Sequence, residues 1–232
     1  GTTADIYSDK ADNNFGIGQN ITFHANAENN IAIGENALNS TDGDADFNIG
    51  IGTGALTALS DGDGNVAIGH TSMDETDDGI YNTAVGYGTL SANCGNENVA
   101  IGSQAGLVAE GGQGTYIGAQ CGDGIVGSTG NTAVGFQALS AAADSYNVAM
   151  GYKAGAAISG GGQNVIVGKE AMATATAVDK CIAIGYEALK LANDDACDGT
   201  IAIGWSAGYQ MVNTDDVSSH DDLGGNTLIG YS

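Results

Sequence analysis

The 232-residue chain contains no proline, no arginine, one tryptophan and only five lysines against 28 aspartates and glutamates, for a formal net charge of −23. Each shortage excludes something. Without a basic stripe to replace counterions, nucleic acid is not a partner. An anionic membrane surface is excluded for the same reason. No run of about 18 apolar residues exists to span a bilayer, and the opening Gly1-Thr-Thr-Ala4 lacks the basic and apolar regions of a secretion signal. The absence of proline suits a body in which nearly every backbone N–H joins a ladder. Acidity of this degree suits a soluble body whose copies repel one another in a salty medium.

What the chain has in abundance is one phrase, seen in its clearest form as Asn98-Val-Ala-Ile-Gly102. The glycine that closes each of 13 copies stands at 18, 34, 52, 69, 86, 102, 118, 135, 151, 168, 185, 204 and 230. From Gly18 to Gly204 the step is about 17 residues, and a longer excursion precedes the last copy. The residue before the glycine is always Ile, Val or Met, and the residue two before it is Ala in eight copies. This alternation predicts a strand with a bulky β-branched face and a small face. After the glycine and two variable residues comes Ala-Leu, Ala-Gly or a near relative, as in Ala37-Leu38 and Ala105-Gly106, which predicts a second wall.

A coil of about 17 residues is too short for a helix plus a strand but fits one turn of a parallel β-solenoid. The fold predicted is all-β: a parallel β-solenoid, or β-roll, of about 13 coils, assembled as a homotrimeric rod. Residues 1–208 form the repeat body, and 209–232 hold a long final connector and the last coil of the same domain. The first copy, Asn14-Phe-Gly-Ile-Gly18, is weak. Residue 1 is not Met and the last copy stops soon after its glycine, so a fragment of a longer chain is expected.

Asparagine stands four before the closing glycine in ten copies: Asn14, Asn30, Asn48, Asn65, Asn82, Asn98, Asn131, Asn147, Asn164 and Asn226. Stacked at the strand spacing, these amides are expected to form a structural ladder, hydrogen-bonded rung to rung, where the backbone turns a corner. The interior between the walls is expected to be thin and built from Ala, Ile and Val with at most one Leu or Met per coil. The glycine and alanine positions then form a small, flat, uncharged face that needs cover. Three rods packed about an axis would bury it, which is the sequence argument for the trimer.

The connectors are rich in Asp and Gly and read as turns. Asp61-Gly-Asp-Gly64 and Thr41-Asp-Gly-Asp44 are similar to calcium loops, with Asp61, Asp63, Asp42 and Asp44 as the candidate ligands. The terminal Glu of such a loop is missing, and solvated turns are the competing reading; no cofactor other than calcium is implied. The final connector carries His220 among several aspartates and is a candidate contact surface or lone metal site, with a plain cap or tip as the competing reading. Cys181 and Cys197 fall on neighbouring rungs at different positions, which leaves both a disulfide and free thiols open.

Directly after the closing glycine, Gln19, Glu35, Thr53 and His70 give way to Tyr87, Phe136, Tyr152, Tyr186, Trp205 and Tyr231, interrupted by Ser103, Ala119 and Lys169. These aromatics are the candidate receptor contacts, since exposed aromatic rows bind sugars or apolar partners. The competing reading packs them against connectors or neighbouring chains.

The Asn-Val-Ala-Ile-Gly phrase resembles the head repeat of trimeric autotransporter adhesins of the YadA type. Asn131-Thr-Ala-Val-Gly-Phe-Gln-Ala-Leu139 is more similar still to repeats of bacteriophage tail-fibre and tail-spike proteins. The coil is longer than the adhesin repeat, which favours the phage version. That resemblance implies a non-enzymatic fibre segment, in the virion or at a cell surface, that attaches to a host through a glycan or protein receptor. A bacterial surface adhesin is the alternative, and a glycan-depolymerising tailspike a third. A tailspike needs paired carboxylates at one place. The carboxylates here sit in scattered turns. An acyltransferase β-helix repeats its apolar-glycine pair three times per coil, and an ice-binding solenoid would need a continuous Thr ladder; neither pattern is present.

Overall fold

The computed structural model describes residues 5–9, 12–39, 43–192, 197–211 and 225–231. The chain is all-β, a parallel β-solenoid with a repeat of about 17 residues, and no α-helix occurs among the described residues. It divides into two compact units, residues 1–119 and 120–232.

The first unit contains β1 (Asp5–Asp9), β2 (Asn14–Gly18), β3 (Ile31–Ile33), β4 (Ile49–Ile51), β5 (Val66–Ile68), β6 (Thr83–Val85), β7 (Val99–Ile101) and β8 (Thr115–Ile117). From β2 to β8 each strand pairs in parallel with the next, in the register set by the closing glycines: Val66 opposite Thr83, Ala67 opposite Ala84, Ile68 opposite Val85. β1 departs from this order and folds back antiparallel on β2, with Tyr7 opposite Gly16. The second unit contains β9 (Thr132–Val134), β10 (Val148–Met150), β11 (Val165–Val167), β12 (Ile182–Ile184), β13 (Ile201–Ile203) and β14 (Thr227–Ile229), again parallel and in register.

The strand face that points inward is the opposite of the one expected from hydrophobicity. Ala32, Ala67, Ala84, Ala100, Ala133, Ala149, Ala183 and Ala202 are wholly buried, whereas the flanking Ile, Val and Thr are half-buried or exposed. The small face is therefore the core. A coil this narrow leaves room between its walls for a methyl group, and the larger side chains go outside. The second wall is a stack of turns rather than a strand. Its Leu and Met residues, including Leu56, Met73, Leu90, Leu139 and Leu189, adopt φ of 46–54° and project into the core. Such a backbone disfavours bulky residues. Burial and rung-to-rung bonds offset that cost: the N–H of Met73 donates to Thr89 O at 2.9 Å and that of Leu139 to Ala154 O at 3.0 Å.

A further core column lies in the connectors, seven residues after the closing glycine: Leu59, Thr76, Ala109, Ile125, Ile158, Ala175 and Ala192, all with at most 1% exposure. The connectors are thus turns on one side and core on the other.

The closing glycine is fixed by backbone geometry. Its φ runs from 129° to 156°, and a Cβ on Gly86 or Gly151 would stand 2.6 Å from the carbonyl oxygen of the next closing glycine. The glycine column is accordingly not a docking face. A second glycine column explains the large residues that interrupt the alanines. Cβ atoms on Gly106, Gly155 and Gly208 would come within 2.9 Å of Tyr116, Ile166 and Leu228, respectively. At these three rungs the turn wall gives up its leucine and the next strand supplies the bulk; Gly122, followed by Ala133, is the exception.

Candidate binding surface

The asparagine column forms a ladder whose bonds run to the backbone. In the first unit the Oδ1 atoms of Asn14, Asn30, Asn48, Asn65 and Asn82 accept the backbone N–H of the next Asn at 2.8–2.9 Å. Asn98 passes the same bond to Gly114, and in the second unit Asn131, Asn147 and Asn164 pass it to Asn147, Asn164 and Cys181. Most of the Nδ2 groups donate to corner carbonyls, as Asn65 does to Gly79 O at 2.7 Å and Asn164 to Val178 O at 2.7 Å, whereas Asn131 Nδ2 is buried without a partner. Direct amide-to-amide contacts at 3.1 Å join only some rungs, for example Asn82 to Asn65. All these asparagines are buried, while Asn226 is exposed. Their role in the structure is to satisfy buried corner amides and carbonyls.

The acidic corners have a related organisation. Asp63 Oδ1 accepts the N–H of Asp46 at 2.8 Å, Asp61 Oδ1 that of Asp44 at 3.4 Å, and Asp46 Oδ1 that of Glu28 at 2.6 Å. Asp44 also meets His24 Nδ1 at 3.2 Å. Among the described residues no three His, Cys, Asp or Glu side chains converge as a metal group. Asp42 and His220 lie outside the described residues. The four cysteines are buried thiols outside any disulfide, and Cys181 Sγ lies 3.1 Å from Cys197 O on the neighbouring rung. Burial pushes the Cys181 thiol up to about 11.

The position after the closing glycine faces outward in both units. In the first, His70 and Tyr87 are adjacent rungs with ring centroids 5.6 Å apart. In the second, Phe136 stacks on Tyr152 at 5.6 Å, Tyr186 on Trp205 at 4.5 Å and Trp205 on Tyr231 at 6.1 Å. Lys169 closes the gap in this series. Its Nζ is 5.9 Å from the Tyr152 centroid and 5.4 Å from that of Tyr186, so an ammonium occupies the slot where a ring is missing. Lys153 adds a second ammonium at 5.6 Å from the Tyr152 ring.

Lys169 and His70 share the register of the aromatics, which was the signal that could have included them. Nearby, Lys190 donates to Glu170 at 2.7 Å and to Glu187 at 2.6 Å. Those two bonds raise the lysine above its ordinary value and hold Glu170 below the usual carboxylate range.

The second unit thus carries a column of stacked rings and cations whose faces cover one another, edged by an ion-pair cluster. A stack of this kind presents ring edges rather than a row of open platforms, because rings 4.5–6.1 Å apart and inclined to one another by only 16–34° lie over one another. Comparison with family models, with curated proteins and with solved structures found no match.

Proposed function

We propose that the chain is a segment of an attachment fibre, of the phage tail-fibre kind, that works as a homotrimer and carries its receptor contacts on outward positions of the coils. The observation that supports this reading is the outward strand face. In all 13 copies the two positions one and three before the closing glycine carry Ile, Val, Thr, Phe or Met, never a charge, in a chain with 33 charged side chains. In the first unit Ile31, Ile68, Ile101 and Ile117 are 37–42% exposed; in the second, Val148 and Met150 are 36% and 48% exposed.

A β-branched face free of charge on a strongly acidic body is suited to cover by the same face of other copies, since the apolar columns match and the acidic corners stay in water. The small face expected to be covered by other copies is not available, because the alanines are interior and the glycines are fixed by backbone contact. The bulky face takes over that role.

Light scattering tests the proposal. Three chains of 23.0 kDa give about 69 kDa. Ile101→Glu, which places a charge in the outward column, is expected to lower the mass to that of one chain while the circular dichroism of the coil persists. A wild-type mass of one chain would refute the reading. The same mass in EDTA is expected if the Asp corners act through backbone amides alone.

A further inference from the structure

An outward ring in a stacked column is open to a ligand only where the neighbouring rung fails to cover it. Trp205 has Tyr186 on one side and Tyr231 on the other, and Tyr152 has Phe136 and Lys169. Tyr87 differs. His70 covers one face at 5.6 Å, but the next positions in the column are Ser103 and Ala119, whose side chains are too short to cover a ring across a rung spacing of about 4.8 Å. Tyr87 is 56% exposed.

The flank of this ring is lined by small and uncharged residues. Gly88 follows Tyr87 and carries no side chain, and a Cβ there would be in ordinary contact with Leu107 at 3.7 Å and with Gln104 and Ser91 at 3.8 Å. On the next rung Gln104, whose backbone N–H donates to Tyr87 O at 2.8 Å, and the exposed Ser103 supply an amide and a hydroxyl. The two outward positions of these rungs are Thr53-Gly54, His70-Thr71, Tyr87-Gly88 and Ser103-Gln104, with no carboxylate and no lysine, although the chain bears a net charge of −23.

We propose that the ledge of Tyr87, Ser103 and Gln104 binds an uncharged pyranose sugar. The apolar C–H face of the sugar lies on the open face of Tyr87, and its hydroxyls meet the Gln104 amide and the Ser103 hydroxyl. Charge complementarity selects the neutral class: no ammonium stands at the ledge to receive an acidic sugar, and the net charge of the chain opposes one. The inference deepens the attachment reading and rests on it for its biological sense.

The test is saturation-transfer NMR on the full chain with linear oligomers of glucose, of galactose and of mannose, and with polygalacturonate as the acidic comparison. At least one neutral oligomer is expected to bind. Its affinity should fall about tenfold in Tyr87→Ala, hold in Tyr87→Phe and be unchanged in Tyr146→Ala, which removes an exposed ring outside this column. Binding of none of the neutral oligomers, binding of polygalacturonate alone, or neutral binding that survives Tyr87→Ala would overturn the proposal. So would a change of light-scattering mass in Tyr87→Ala, which would make the ledge a contact between copies. A one-chain mass for the wild type would refute the trimer while leaving the sugar result standing.

Discussion

Replacing Asn65 by Ala removes one rung of the buried asparagine ladder and leaves the rest of the coil in place. The backbone N–H of residue 65 still donates to Asn48 Oδ1, so the bond from the rung before is kept. What is lost lies on the other side. The N–H of Asn82 loses its acceptor at 2.9 Å, the Asn82 amide loses a contact at 3.1 Å, and Gly79 O loses its donor at 2.7 Å.

Asn65 and Asn82 are wholly buried, so water does not replace these partners without opening the corner. Each buried backbone group left without a partner costs about 1–3 kcal/mol, and the two together roughly 2–6 kcal/mol. That is a large share of the roughly 5–15 kcal/mol that holds a typical domain together. Urea unfolding followed by circular dichroism reads the difference, with Asn226→Ala as the comparison. Asn226 is exposed, and its loss should stay within about 0.5 kcal/mol. A change below about 0.5 kcal/mol for Asn65→Ala would refute the account of the ladder as the means by which the corner satisfies its backbone.

Gly155→Ala is expected to destabilise by more than about 1 kcal/mol, because the new Cβ meets Ile166 and Leu139 at 2.9 Å and residue 155 has φ of 62°. Adding Ile166→Ala should recover the steric part, with a coupling of about 0.5–3 kcal/mol in a double-mutant cycle. The Glu170–Lys190–Glu187 cluster predicts a pH window. Glu170 is held low by Lys190, so its contribution is present above about pH 4.5 and is lost as pH falls through the folded value; Lys190 is raised, so its contribution is fully present below about pH 10.5 and is lost as pH rises from there through the folded value. Lys190→Met should remove both arms from the pH profile of the melting temperature, and an unchanged profile would refute the assignment. All four cysteines are buried thiols. A thiol reagent at pH 8 is expected to label none in the folded chain and four in urea, and fast native labelling of Cys181 would contradict its burial.

Much of this protein was legible as a repeat. The closing glycine, the Ile or Val before it and the Asn four before it recur at one period, and a recurrence of that kind predicts one strand per coil in parallel register. The strands begin and end where the phrase does, as β5 to β7 show with Val66–Ile68, Thr83–Val85 and Val99–Ile101. The turns rich in Asp and Gly, and the outward setting of the residue after the glycine, were readable in the same way.

Alternation, by contrast, defines two faces without saying which is inside. Hydrophobicity favoured Ile and Val for the interior, but where Leu or Met of the turn wall fills the coil the strand has room for alanine, so Ala67, Ala84 and Ala100 are core while Ile68 and Ile101 face outward. The left-handed turns that carry Leu56 and Leu139 left no local signal, since a leucine with positive φ is imposed by the coil and repaid by burial. The pairing of Gly155 with Ile166 was visible only as two unrelated exceptions until the coils were stacked. The same holds at the surface. Sequence alone marked a broken row of aromatics, and the tertiary structure decided that Lys169 fills the break between Tyr152 and Tyr186 while Ser103 leaves one face of Tyr87 bare, because side chains one coil apart meet only when the rungs lie in register.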